Sequence, residues 1–217
     1  KKGNFNSALT LKTVLGVLED FKPFVAEHQR KLPFVFLAND DPNIQTQVLN
    51  QMTRPRFVGM DSMNLWITHK REPLLKLIKR VDLFVANEGE AVMLSGEDNL
   101  IKAAKWLHRL GPSFIVIKKG EHGVLFYSAK MCFAFPAYPI EKVIDPTGAG
   151  DTFAGGLMGF LTKAKKFNAS TFKKAVCYAT VLASFNVEGF GVQKTATLTA
   201  GQVSTRLKQF LKFISIS

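Results

Sequence analysis

Apolar and polar positions alternate along this chain between two periods. Short apolar runs of strand length, at Leu32–Asn39, Arg56–Asp61, Asp82–Ala86 and Ser113–Lys118, are separated by stretches with apolar residues at helical spacing. Those stretches run Ile44–Met52, Arg71–Arg80, Asn87–Leu94 and Leu100–Leu110. Gly123–Ser128 and Met131–Phe135 read as a hairpin, and Ala137–Ile144 as a further β-rich segment. Helical patterns return at Thr152–Lys166, Ser170–Phe185 and Ala200–Phe213, with a turn-rich connector at Gly191–Thr199. Strand–helix alternation of this kind predicts a layered α/β domain with parallel strands and right-handed crossovers. Ligands in open sheets sit beyond the C-terminal ends of strands, and Asn39, Asp61, Asn87 and Lys118 all fall at such ends.

Composition narrows the class. The chain has 217 residues, 47% of them hydrophobic and 19 of them Phe, enough for one substantial core. No run of 18 or more apolar residues occurs, so no membrane partner is expected. The chain opens on Lys1 without a charged-then-apolar leader, which reads as a processed, trimmed or incompletely observed start, and the protein is expected not to be secreted. A cytoplasmic or organelle-matrix location fits. Cys132 and Cys177 lie in different kinds of segment and read as reduced thiols. His28, His69, His108 and His122 are scattered, without metal-ligand spacing. Lys and Arg total 29 against 17 Asp and Glu, a diffuse excess of +12 that suits anionic ligands and also allows contact with nucleic acid.

The most informative stretch is Asp145-Pro146-Thr147-Gly148-Ala149-Gly150-Asp151-Thr152-Phe153-Ala154-Gly155-Gly156. Glycines at a loop-to-helix junction let backbone N–H groups converge, and the helix dipole adds positive charge there, which makes a seat for an anion. Asp151 plants a carboxylate inside that seat, placed to take a proton from a hydroxyl as its oxygen attacks phosphorus. No Gly-x-x-x-x-Gly-Lys-Ser/Thr loop is present, which excludes the P-loop class, and no Gly-x-Gly-x-x-Gly follows a strand.

This run closely resembles the signature of the ribokinase-like (PfkB) family of sugar and nucleoside kinases. The resemblance implies a three-layer α/β/α sandwich with a mostly parallel central sheet. It implies ATP and magnesium as cofactors, Asp151 as catalytic base, and the Gly148, Ala149 and Gly150 amides as the hole for charge on the transferred phosphoryl group. Asn87-Glu88-Gly89-Glu90 resembles the family's N-x-x-E motif, which arranges magnesium and phosphates through water; Asn87 and Glu90 are equally the pattern of an N-cap with its capping-box acid. Lys118-Lys119-Gly120-Glu121-His122-Gly123 resembles the strand-end turn along the nucleotide, so Lys118, Gly120 and Gly123 are candidate nucleotide contacts. Tyr178 falls where the family places a nucleotide-contacting side chain, and equally reads as a half-buried helix aromatic. Asp145 and Thr147 match positions that hold a monovalent cation, such as potassium, in some relatives, although Pro146 replaces the usual Thr between them. Asn39, Asp61 and Asn64 lie near the expected pocket for a sugar or nucleoside acceptor.

The resemblance starts at about Leu32, whereas family members carry more sequence before that point. Residues 1–217 are therefore expected to be a single, N-terminally incomplete ribokinase-like domain lacking the first strands and the β lid. A homo-oligomer, or a missing N-terminal segment, would complete it. The alternative is a non-catalytic scaffold subunit of a larger, ribonucleoprotein-like assembly. The positive excess supports that alternative, and the intact Asp151 opposes it.

Overall fold

A computed structural model describes residues 16–18 and 20–215. Its strands are the apolar runs: Phe34–Leu37 (β1), Phe57–Asp61 (β2), Leu83–Asn87 (β3), Phe114–Lys118 (β4), Val124–Ser128 (β5) and Met131–Phe135 (β6). They form one sheet in the order β1-β2-β3-β4-β5-β6. β1 pairs parallel with β2, Phe34 opposite Phe57, and β2 pairs parallel with β3, Gly59 opposite Leu83. β5 and β6 are joined by Ala129-Lys130, a connection that permits only antiparallel pairing. The helices are Pro42–Gln51 (α1), Asn64–His69 (α2), Arg71–Ile78 (α3), Glu88–Ser95 (α4), Leu100–Leu110 (α5), Ala149–Thr162 (α6), Ala169–Asn186 (α7) and Ala200–Ile214 (α8). No described helix is long and apolar enough to cross a membrane.

The described residues divide into two compact units, one of those up to 117 with 126–132, the other of 118–125 with those from 133 onward. In the first, all five residues of β2 and the first four of β3 are buried, as expected of parallel strands covered on both faces. Phe57, Phe84, Leu74, Leu77, Leu94 and Leu107 fill its core, each contributing about 1.5–3 kcal/mol by burial. Asp82 ties the strand starts together: its N–H donates to Val58 O (2.8 Å), its Oδ2 accepts from Val58 N (2.8 Å), and its carbonyl accepts from Phe114 N (2.9 Å).

In the second unit α6 packs on α7, and Cys177, Val181 and Phe185 of α7 meet Val203 and Phe210 of α8. Arg206 stacks 3.5 Å from the Phe185 ring centroid and donates to both oxygens of Glu188 at 2.9 and 3.3 Å, which pins the segment following α7.

The structure departs from the sequence pattern in three places. Ala137–Ile144, expected as β-rich, has no regular structure. Pro136 and Pro139 lack N–H donors, and the Ile144 and Asp145 N–H groups donate to Val187 O (2.8 and 3.3 Å). The helix α2 is an added element, formed because Trp66 and Ile67 are drawn into the core. α6 starts at Ala149, three residues before the expected Thr152, since Gly148 in the left-handed conformation (φ 82°) ends the loop. It stops at Thr162 because the Lys163 and Ala164 amides close back on Phe160 O and Leu161 O (3.2 and 3.0 Å).

Candidate active site

The glycine loop of the second unit is built as a helix start. Ala149 N–H donates to Pro146 O (3.1 Å), and Gly148 O accepts from Thr152 N (2.9 Å). Among the described residues the Gly148, Gly150 and Asp151 amides have no acceptor, as expected at the first turn of a helix. Asp151 lies on that turn with its side chain exposed. Lys118, the last residue of β4, reaches the same turn: its Nζ lies 2.7 Å from where a Gly150 Cβ would sit.

Next to this loop, Asp145 Oδ1 accepts from Thr147 N at 3.0 Å. The Thr147 amide and hydroxyl, with the Gly191 amide, hold the Asp145 carboxyl below its ordinary value. Asn186, the last residue of α7, is 3% exposed and donates from Nδ2 to Gly191 O (2.9 Å). Its Oδ1 has no hydrogen-bond partner, and the carboxamide lies 3.6–3.7 Å from the position of a Gly148 Cβ. Sequence reasoning missed Asn186; the signal was a polar residue ending an apolar helix just before Val187-Glu188-Gly189.

Gly120–His122 form a 3-10 turn capped by Gly123, with Lys119 N–H on Gly123 O (2.7 Å) and Gly123 N–H on Gly120 O (3.1 Å). Gly123 (φ 87°) admits no side chain, because a Cβ would meet Phe135 O at 2.1 Å. Tyr178 is half-buried, its ring 5.8 Å from that of Phe160, and it packs on the second unit's core. An open cleft of about 320 Å³, lined by Phe160, Lys163, Asn168, Ser170, Thr171 and Lys174, lies at the opposite end of α6 from Asp151.

In the first unit the Asn-x-x-Glu pair forms a capping box. Asn87 Oδ1 accepts from Glu90 N (2.8 Å), while Glu90 Oε2 accepts from Asn87 N and Oε1 from Asn87 Nδ2, both at 2.7 Å. Each side chain orients the other, and both Glu90 oxygens are engaged by Asn87. Among the described residues no group of three or more His, Cys, Asp or Glu could hold a metal.

The acceptor candidates cluster at the ends of β1 and β2. Asn39 Oδ1 accepts from Trp66 Nε1 (3.1 Å) and Asn39 Nδ2 donates to Met63 Sδ (3.3 Å). Asn64 Oδ1 accepts from Leu65 N at 2.9 Å, and Asp61 is 4% exposed. Gln45 Nε2 binds Leu37 O, Ala38 O and Asp61 O (2.9–3.2 Å), clamping the two strand ends together. Lys70 pairs with Asp41 beside Trp66. Trp66, Gln45 and Lys70 were not singled out from sequence.

Comparison with known proteins bears on this arrangement. The pfkB family carbohydrate kinase pattern matches residues 36–199. A cytidine kinase of Thermococcus kodakarensis is 40% identical over 98 residues, 44% of this chain and 35% of the relative. A nucleoside kinase of Methanocaldococcus jannaschii is 26% identical over 175 residues, 81% of this chain and 55% of the relative. The chain thus spans about half or less of these curated relatives. Aminoimidazole riboside kinase from Salmonella enterica, solved with aminoimidazole riboside and an ATP analogue, shares the fold at TM-score 0.68 and 24% identity, over 85% of this chain and 67% of that one. The fold is therefore the ribokinase-like α/β fold, and the chain belongs to the pfkB family of carbohydrate kinases.

Proposed function

We propose that this chain carries the phosphoryl-transfer machinery of an ATP-dependent kinase acting on a hydroxyl of a sugar or nucleoside. Exposed Asp151, on a helix turn whose Gly150 and Asp151 amides lack acceptors, is the observation that supports this reading most. On this reading Asp151 accepts the acceptor's proton as its oxygen attacks the γ-phosphorus. The Gly148 and Gly150 amides receive the charge that develops on the transferred group, while the Ala149 amide, expected to join them, is engaged by Pro146 O. Little covalent chemistry falls to the protein, so positioning and electrostatics carry the rate.

Magnesium, when bound with ATP, neutralises phosphate charge, and the Asn87–Glu90 pair would address its hydration shell. The Gly120–Gly123 turn would lie along the nucleotide. Asp145, Thr147 and the orphaned Asn186 Oδ1 offer oxygens suited to a monovalent cation such as potassium. Asn39, Asp61 and Asn64 would hold acceptor hydroxyls, and residues 1–217 would act as one ribokinase-like domain.

The test is ADP release by the full-length chain with magnesium-ATP and a panel of cytidine, aminoimidazole riboside, ribose and fructose. Turnover dependent on one acceptor is expected. ATP binding with no turnover on any panel member, together with salt-dependent RNA binding, would replace the kinase with a scaffold.

A further inference from the structure

Lys70 pairs with Asp41 and Lys76 with Glu72. Lys118 is a half-buried residue whose ammonium makes no hydrogen bond or ion pair with any described residue and lies against Gly150 in the first turn of α6. That turn is the positive end of a 14-residue helix, where a cation is disfavoured in the resting protein. Room for it exists because residue 150 has no side chain; a Cβ there would stand 2.7 Å from Nζ. The Lys119–Gly123 turn that follows is closed by its own backbone hydrogen bonds, which fixes the point from which Lys118 reaches. A repulsive arrangement of dipole and ammonium becomes favourable once an anion binds beside both, and more so as that anion gains charge.

We propose that Lys118 is a catalytic residue that stabilises the transferring phosphoryl group, rather than a ground-state contact to the nucleotide. This deepens the kinase reading and rests on it. In the step, the acceptor oxygen bonds to phosphorus as the bond from phosphorus to the β–γ bridging oxygen breaks. The bonding pair stays with ADP, and the acceptor proton passes to Asp151. Lys118 exchanges neither proton nor electron; its charge meets the equatorial oxygens of the moving group.

The test uses Lys118→Met and Lys118→Arg in the full-length chain. Binding of MgADP is measured by calorimetry with and without aluminium fluoride, which with MgADP mimics the transferring group, beside thermal melting without nucleotide. For Lys118→Met the expected results are a melting temperature equal to or above the parental one and MgADP affinity within about twofold. Its aluminium-fluoride tightening and its turnover should both fall by roughly 10²–10³, with partial recovery in Lys118→Arg. A lower melting temperature would make Lys118 structural and overturn the proposal. Equal losses in MgADP and fluoride-complex affinity would make it a ground-state ligand, with the same consequence. Parental behaviour of Lys118→Met in an enzyme that binds MgADP overturns this inference alone. Failure of the parental protein to bind MgADP overturns the kinase reading beneath it.

Discussion

Gly156 of α6 faces Ala179 of α7 so closely that a Cβ on Gly156 would lie 3.2 Å from the Ala179 Cα and 2.7 Å from Leu182 Cδ1. The two helices meet there because one of them has no side chain. Gly155 and Gly159 on the same helix are exposed, and a Cβ on either would have nothing within 4 Å. The helix glycines therefore predict opposite responses. Gly156→Ala should destabilise by about 1–3 kcal/mol through overpacking, and Gly159→Ala should stabilise by about 0.4–1 kcal/mol through the unfolded chain. Urea unfolding of both variants checks this, and a Gly156→Ala as stable as the parent contradicts the packing.

The capping box separates fold from chemistry. Asn87→Ser keeps an N-cap acceptor, so stability should stay within about 0.5 kcal/mol of the parent. It removes the donor that holds Glu90 Oε1 at 2.7 Å. The magnesium concentration for half-maximal turnover should then rise several-fold. Unchanged magnesium dependence would reduce the motif to a helix cap.

Most of the sheet was legible in the sequence because its strands are continuous apolar runs of Phe, Val and Ile bounded by polar residues. β1 to β4 fall where the periodicity puts them, and α5 matches the expected Leu100–Leu110. The start of α6 was harder to read, because Gly148 and Gly150 favour no helix by propensity; the helix begins there through the Gly148 left-handed cap. Asp151, Asn87 and Glu90 were visible as motif residues. Asn186, Trp66 and the Lys118–Gly150 contact were not, since each depends on residues far apart in sequence. Tyr178 was ambiguous between ligand contact and packing, and its ring lies against Phe160.

Asp145 gives a dependence on pH. Its carboxyl is held below the ordinary 3.8, first by the Thr147 amide and then by the Thr147 hydroxyl. A depressed folded value means the carboxylate's contribution is complete above 3.8 and disappears as pH falls through the lower folded value. Asp145→Asn should therefore lose stability relative to the parent at pH 7 and converge with it in strong acid. Parallel stability curves for the two proteins down to about pH 2 would contradict this linkage.

The two thiols should behave differently. Burial pushes the Cys177 thiol up to about 11, whereas Cys132 is exposed. At pH 8 only about one Cys177 in a thousand would be thiolate, and access is blocked as well. Ellman's reagent should label Cys132 quickly and Cys177 only on unfolding. Two fast equivalents in the native protein would show that the core around α7 and α8 is open.

On the kinase reading, one carboxylate, set where a helix begins, removes the acceptor's proton. Asp151→Asn in the full-length chain tests it most directly, with magnesium-ATP affinity and phosphoryl transfer measured on the same preparation. Affinity close to the parental value is expected, with transfer reduced by at least about 10². Transfer at the parental rate in the Asn variant would contradict it.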